Sequence, residues 1–310
     1  MIVICGPTAS GKSAVAVELC RLIGGEVVSC DSMQLYRGMD VGTATPTEAE
    51  MGGVAHHLLN ILDPSESFSA AAYRARAIPV IEDIRARGRI PVLCGGTGLY
   101  VNALTRPLGF AEPGDEALRQ ALQAVADGPG GRRILHDRLR AIDPDRAARL
   151  HENDVRRVIR AIEAHQLTGR TAGERAALDR EREGDYRGLL FAPDWPRATL
   201  YERIDRRVME MMHLGLPAEV DALIAAGVPM TATAMQAIGY KELIRAREGF
   251  ITLDEAVGLI QQGTRRYAKR QLTWFYADPR VQWVPAEERS AQDIAREIKE
   301  RLQVNGHSVG

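Results

Sequence analysis

Eight residues near the N-terminus, Gly6-Pro7-Thr8-Ala9-Ser10-Gly11-Lys12-Ser13, constrain this chain more than any others. They read G-x-x-x-x-G-K-S. A short apolar run, Met1 to Cys5, precedes them, and an apolar-periodic segment with Ala14, Val17 and Leu22 follows. Strand, glycine-rich turn and helix in that order form the setting a phosphate-cradling P-loop requires. In such a loop the N–H groups of the turn and of the helix start point at a phosphate. Lys12 adds a compact cation, and the Ser13 hydroxyl can ligate Mg²⁺. The motif predicts a parallel α/β sheet and a pyrophosphate unit as ligand. It does not say whose pyrophosphate, and a nucleotide such as ATP fits it as well.

The remaining composition narrows the class. With 310 residues, 45% of them hydrophobic and 26% charged, the chain can build one large domain or two smaller ones. It holds no apolar run of about 18 residues, and no basic segment with an apolar stretch opens it, so neither a membrane span nor a secretory leader is expected. Cys5, Cys20, Cys30 and Cys94 are scattered without a C-x-x-C pair, and read as small buried hydrophobes of a reduced, cytoplasmic protein. The net charge of −1 does not announce nucleic-acid binding. Among the cations, 36 are arginine and only 4 lysine, namely Lys12, Lys241, Lys269 and Lys299. A lysine in so arginine-rich a chain marks a place where arginine would not serve. Lys299 is the exception, read as a solvated face.

Strand and helix alternate over the first hundred residues. Residues 1–5 read as a strand, 12–23 as a helix, 26–30 as a second strand ending at Asp31-Ser32. A weak apolar run covers 57–62, a Ser-capped helix 69–88, and another strand 90–94 ending in GGTGLY. Residues 112–185 carry helical periodicity and no convincing strand. The sheet resumes at 189–192, followed by helices over 197–214, 216–226, 233–248 and 252–277, a short strand at 281–284 and a last helix at 290–303. The resulting expectation is a P-loop NTPase-like parallel sheet core of class α/β, with an all-helical insertion domain and a helical C-terminal region. The core spans 1–111 and 186–310, and the insertion 112–185.

Ligands of open parallel sheets bind beyond the carboxyl ends of the strands. Three polar clusters belong there: the P-loop, Asp31-Ser32-Met33-Gln34, and Gly95-Gly96-Thr97-Gly98. A carboxylate such as Asp31 beside pyrophosphate can hold Mg²⁺, accept a proton from a nucleophile, or simply cap a turn. Thr97 is a turn hydroxyl or a phosphate ligand. The paired glycines suggest close approach of backbone to ligand. Arg203 and Arg207, four apart on one helix, are alternative partners for an anion. His56-His57 reads as structural or pocket-lining, because adjacent side chains do not share a face.

The complete motif set resembles bacterial tRNA dimethylallyltransferases, also called tRNA isopentenyltransferases. It comprises GPTASGKS, DSMQLYRGMDVGTATP (31–46), GGTGLY (95–100), NDVRRVIRAIE (153–163), RIDRRV (203–208), IGYKEL (238–243) and YAKRQLTWF (267–275). The resemblance spans nearly the whole chain in order. It implies transfer of a dimethylallyl group from dimethylallyl diphosphate to the exocyclic amine of the adenosine 3′ to the anticodon, in tRNAs reading codons that begin with U. Asp31 would be the base and Thr97 a ligand of the departing phosphate. Gly6 to Ser13, with Arg203 or Arg207, would hold the diphosphate, and Mg²⁺ would bind through Ser13. Ser32, Met33 and Gln34 would read the extruded base, alongside Asp31 and Thr97. Arg119, the segment Arg156-Arg157-Val158-Ile159-Arg160, and Lys269-Arg270 (beside Arg265, Arg266, Trp274, Phe275 and Tyr276) would contact the anticodon stem-loop. The enzyme would be a cytoplasmic monomer.

Three other readings share parts of this pattern. An adenylate isopentenyltransferase acting on AMP has little need of an arginine-bearing insertion. A small-molecule P-loop kinase would show a second acidic strand end. An RNA-binding NTP switch fits poorly with near-neutral charge and clustered site chemistry.

Overall fold

The computed structural model describes residues 1–107, 114–180 and 184–304. Six strands form one parallel sheet: β1 (Ile2–Cys5), β2 (Gly25–Ser29), β3 (His56–His57), β4 (Ile90–Gly95), β5 (Leu189–Asp194) and β6 (Val281–Pro285). Their order is β3-β2-β4-β1-β5-β6. The P-loop strand is therefore central, with Ile2 paired to Val92 on one side and Leu189 on the other. All four residues of β1 are buried, as a parallel strand covered on both faces requires. Ile2 and Ile4 face Leu19, Ile23 and Ile298, contributed by the helices Lys12–Ile23 and Ala291–Val304. Val3 and Cys5 point the other way, toward Tyr73, Ile81 and Leu104. All four cysteines are buried free thiols.

Backbone chemistry sets the ends of the elements that frame the site. Gly11 (φ 83°) admits the chain to the helix Lys12–Ile23, and Gly24 (φ 67°) ends it. Lys299 is half-buried and donates to the Leu22 carbonyl at 3.0 Å, so it closes that helix rather than lying on a solvated face. The Ser69 hydroxyl caps the helix Ala70–Ala86 by accepting the Ala72 N–H at 3.1 Å.

Two of the departures from the sequence reading have a clear backbone cause. Around the run 57–62 the ladder with β2 is confined to His56 and His57, because Leu58 and Asn60 adopt positive φ and turn the chain away, and Leu62 forms an isolated parallel bridge with Tyr36. The single helix expected over 233–248 is split. A 3₁₀ turn, Ala234–Gln236, leads through extended Ala237 to Gly239 (φ 103°), and a new helix runs Tyr240–Arg247. The Glu242 carboxylate accepts the Gly239 N–H at 2.8 Å, which starts that second helix.

The chain divides into two compact units, Met1–Thr105 with Tyr186 onward, and Arg106–Asp185. The second unit has helices Glu116–Asp127, Gly131–Ile142, Pro144–Ala148, Val155–Thr168 and Ala172–Arg180. Leu122, Leu135, Leu139, Val158, Ile159 and Ile162 form its own apolar core. Within it, Asp143 Oδ2 accepts the Ala172 N–H at 2.7 Å, and buried Glu163 takes Arg119 and Arg160 at 2.8 and 2.9 Å.

At the sheet edge, Glu26 on β2 is buried against Arg87 and His57, the latter at 2.8 Å. Hydrogen bonding from Arg87, opposed by burial and helped by His57, lowers its pKa from 4.5 to about 2. A depressed carboxylate pKa stabilises the fold fully above the unfolded value, and that stabilisation is lost as pH falls toward the folded one. Glu26→Gln should cost about 1–2 kcal/mol at neutral pH, discounted because Arg87 is half in solvent. In urea unfolding the gap between parent and variant should close between about pH 5 and 2; a gap independent of pH would refute this account.

Candidate active site

The P-loop turns through Gly6 (φ 138°), Ala9 (φ 62°) and Gly11 (φ 83°). Three side chains hold it from outside. Gln271 Oε1 accepts the Thr8 N–H at 2.9 Å, the Trp195 indole N–H donates to Ser10 O at 2.9 Å, and Arg203 Nε donates to Ala9 O at 2.9 Å. The Arg203 guanidinium also lies 4.1 Å above the Trp195 ring. Inside the loop the Ser10 hydroxyl is buried without a hydrogen-bond partner among the described residues. Buried polar groups are normally paired, and a phosphate oxygen would satisfy this one. Lys12 Nζ reaches Pro7 O at 3.3 Å. Burial lowers its pKa, with the Asp31 charge opposing.

The chain leaving β4 lies against the end of β2. Thr97 N donates to Cys30 O at 3.3 Å, and a Cβ on Gly95 would lie 2.5 Å from the Cys30 backbone. A Cβ on Gly96 would collide with the Gln271 amide. These glycines permit backbone-to-backbone and backbone-to-Gln271 packing, not the approach of a ligand that their pattern suggested. The Thr97 hydroxyl accepts the Ser32 N–H at 3.0 Å and lies 3.3 Å from Ser32 Oγ. It thus fixes the Asp31-Ser32 turn. Asp31 Oδ1 accepts the Met33 N–H at 3.0 Å.

A cavity of about 370 Å³ opens between these turns and the helix Arg197–His213. Thr8, Ala9, Asp31 and Ser32 line its polar side. Ile204, Arg207, Val208 and Met211 line the facing side, at the spacing of one helix face. The broken segment at Gln236–Lys241 closes another wall, so the glycine that splits the helix also shapes the cavity. Arg203 and Arg207 now separate. Arg203 is spent on the P-loop backbone and Trp195. Arg207 faces the cavity with no hydrogen-bond or ion-pair partner among the described residues, and burial lowers its pKa.

Other expected residues are placed differently. The Gln34 amide donates to Thr43 O and Ala44 O at 3.4 and 3.2 Å, so it braces a loop and does not line the cavity. Val158 and Ile159 are packed in the core of the second unit, which leaves Val158 no surface for RNA, whereas Ile159 also lines the cleft formed by Arg119, Arg156 and Arg160. In that unit Arg119, Arg156 and Arg160 share a cleft of about 260 Å³. Arg119 and Arg160 are held by Glu163, and Arg157 by Asp154 at 3.2 Å. In the core unit Lys269 and Arg270 are exposed, as is Trp274, whereas Arg265 is paired with Asp205. Sequence reasoning missed Gln271, Trp195, Tyr267 and Tyr240. Gln271 was within sight, an uncharged amide inside the basic motif YAKRQLTWF.

A glycine-rich loop on the central strand, a carboxylate on the next turn and a mainly apolar cavity with an arginine that has no partner among the described residues define an α/β protein of the P-loop-like class. The model of the IPP transferase family matches residues 34–278, and the chain belongs to that family. It is 47% identical over 284 residues to the tRNA dimethylallyltransferase of Geobacter metallireducens, covering 92% of each chain. It is 43% identical to that of Carboxydothermus hydrogenoformans, covering 98% of each. The full-length tRNA isopentenylpyrophosphate transferase of Bacillus halodurans is similar in structure, with a TM-score of 0.71, 42% identity and coverage of 98% of this chain and 97% of that one. A eukaryotic dimethylallyltransferase acting on tRNA superposes with a TM-score of 0.81 at 26% identity, covering 99% of this chain and 78% of that one.

Gln271 Nε2 donates to Gly96 O at 2.9 Å while Oε1 holds Thr8, so one buried amide joins two turns of the site. Gln271→Leu keeps the volume and orphans both backbone groups. It should cost about 1–3 kcal/mol in chemical denaturation and weaken inorganic pyrophosphate binding. Unchanged pyrophosphate affinity would show that the bridge does not shape the loop.

Proposed function

We propose that this chain is a tRNA dimethylallyltransferase. It moves the dimethylallyl group of dimethylallyl diphosphate to N6 of the adenosine 3′ to the anticodon, in tRNAs reading codons that begin with U. The observation that carries this reading is the placement on one mainly apolar cavity of Asp31, the P-loop residues Thr8 and Ala9, and Arg207, which has no hydrogen-bond or ion-pair partner among the described residues. Family membership and the relatives named above support it. A kinase fits less well: β5 does end in a carboxylate, Asp194, but that group accepts the Tyr276 hydroxyl at 3.1 Å and does not line the cavity.

In the reaction a bond forms between N6 and C1 of the allyl group, and the C1–oxygen bond breaks. Its electron pair leaves with diphosphate. The P-loop amides, the unpartnered Ser10 hydroxyl, Lys12 and Arg207 would meet the charge that collects there. Asp31 would accept the N6 proton and so raise the electron density of a poor nucleophile. Thr97, by fixing the Asp31 turn, would orient that base, with its phosphate contact a second proposed role. Ser32 and Met33 would meet the adenine, whose extrusion from an RNA loop costs only a few kcal/mol. The Ser13 hydroxyl is a hard oxygen donor of the kind Mg²⁺ takes, and no cluster of three or more His, Cys, Asp or Glu exists among the described residues. Ser13 would therefore hold the ion together with diphosphate oxygens and water. Bound Mg²⁺ would neutralise charge on the leaving group.

Arg156, Lys269 and Arg270 are the exposed cations offered to the RNA backbone. Among the described residues no helix is long and apolar enough to cross a membrane, and a tRNA acceptor implies work in the cytoplasm. One chain carries the whole constellation, which suits a monomer.

Asp31→Asn should bind both substrates almost normally and lower kcat by about 10²–10⁴ with KM little changed. Single-turnover transfer from labelled dimethylallyl diphosphate to tRNA, with AMP as the alternative acceptor, measures this. Recovery of the rate in high Mg²⁺ or Mn²⁺ would make Asp31 a metal ligand instead of a base, and label appearing in AMP alone would favour the adenylate enzyme. Arg156→Ala and Lys269→Ala should weaken tRNA binding, reduce its salt slope by about one each, and leave dimethylallyl diphosphate affinity intact. An unchanged slope in both would remove these residues from the RNA interface.

A further inference from the structure

Three donors converge on one carboxylate behind the cavity wall. Glu219, on the helix Leu216–Ala225, accepts the Val41 N–H at 2.7 Å, the Gly42 N–H at 2.9 Å and the Tyr240 hydroxyl at 2.6 Å. The Tyr240 side chain is fully buried and packs so closely on Gly42 that a Cβ there would lie 2.5 Å from its hydroxyl. Gly42, Thr43 and Tyr240 all line the cavity. Further links run back to the reactive carboxylate. Gln34 donates to the carbonyls of Thr43 and Ala44, its Oε1 lies 3.0 Å from the Ser29 hydroxyl, and that hydroxyl accepts the Asp31 N–H at 3.4 Å. Ala44 has a φ of 50°, a left-handed conformation that a residue with a side chain keeps only where its surroundings impose it.

We propose that Glu219 is a positioning residue: it holds the 40–44 wall and, through Gln34, the Asp31–Gln34 turn, so that the adenine pocket is formed before RNA arrives. This rests on the functional reading given above. The chemistry demands a carboxylate, because all three groups facing it are donors. An amide at 219 would turn an NH₂ group toward at least one of them.

Hydrogen exchange on the intact protein without substrate reads the anchor alone: the Val41 and Gly42 amides should be protected in the parent and exchange fast in Glu219→Gln. Kinetics read its use. Glu219→Gln should raise KM for tRNA about tenfold while KM for dimethylallyl diphosphate stays within about twofold, and combining it with Gln34→Ala should add far less than the product of the single effects. Gly42→Ala pushes the same loop off Tyr240 without touching Glu219 and should raise KM for tRNA similarly. It carries the test if Glu219→Gln does not fold. Multiplicative single effects, or a lowered Tm with unchanged KM for tRNA and unchanged exchange at 41–42, would overturn the proposal. A parent enzyme that fails to prenylate tRNA would remove the functional reading, while the exchange result would still decide whether Glu219 anchors the loop.

Discussion

The site depends on one buried amide. Gln271 accepts from the P-loop through Thr8 and donates to the β4 turn through Gly96, with its side chain enclosed by both. Two turns separated by some ninety residues of chain are thereby set at a fixed spacing, because a neutral amide carries an acceptor for an N–H and a donor for a C=O on separate atoms. The glycines at 95 and 96 are the counterpart of that bridge. They leave room for Cys30 on one side and Gln271 on the other. Rigidity here matters because stabilising a departing anion works best with donors already aimed at it.

Around this bridge the polar groups divide between support and exposure. Trp195 and Arg203 hold P-loop carbonyls, Thr97 holds the Ser32 amide, and Gln34 holds the 43–44 carbonyls. At the site, the groups with no hydrogen-bond or ion-pair partner among the described residues include the Ser10 hydroxyl inside the loop and, on the cavity wall, Arg207 and Arg270. An unpaired buried donor is costly, so its presence marks where a ligand is to be met. The same division recurs in the second unit, where Glu163 fixes Arg119 and Arg160 beside an unpaired Arg156.

Much of the architecture was legible in the chain itself. G-x-x-x-x-G-K-S after a five-residue apolar run dictated a parallel strand and its helix, and the strands ending at Asp31 and Gly95 converge on it because strands of a parallel sheet present the same end. Periodicity failed where local geometry overrode it. Positive φ at Leu58 and Asn60 shortened β3, and Gly239 broke an otherwise continuous helical pattern. Neither deviation changes the hydrophobic spacing, so neither could be read from it.

The sequence alone determined the phosphate loop, the α/β order, the carboxylate beside the loop and the family likeness, because each is carried by residues close together in the chain. Only the tertiary structure decided which members of equivalent sets do what. Arg203 and Arg207 are indistinguishable by spacing, and packing against Trp195 and Ala9 removes the first from the cavity. Val158 and Ile159 share a motif with three arginines, yet the helix packs both into a core with Leu122, Leu135 and Leu139, and Ile159 also lines the cleft beside Arg156 and Arg160. Glu219 has no local signature at all, and the motif around Gln271 does not say what its amide holds. Their roles arise from hydrogen bonds spanning 263 and 178 residues, and partners so distant are brought together only when the sheet and its helices have closed.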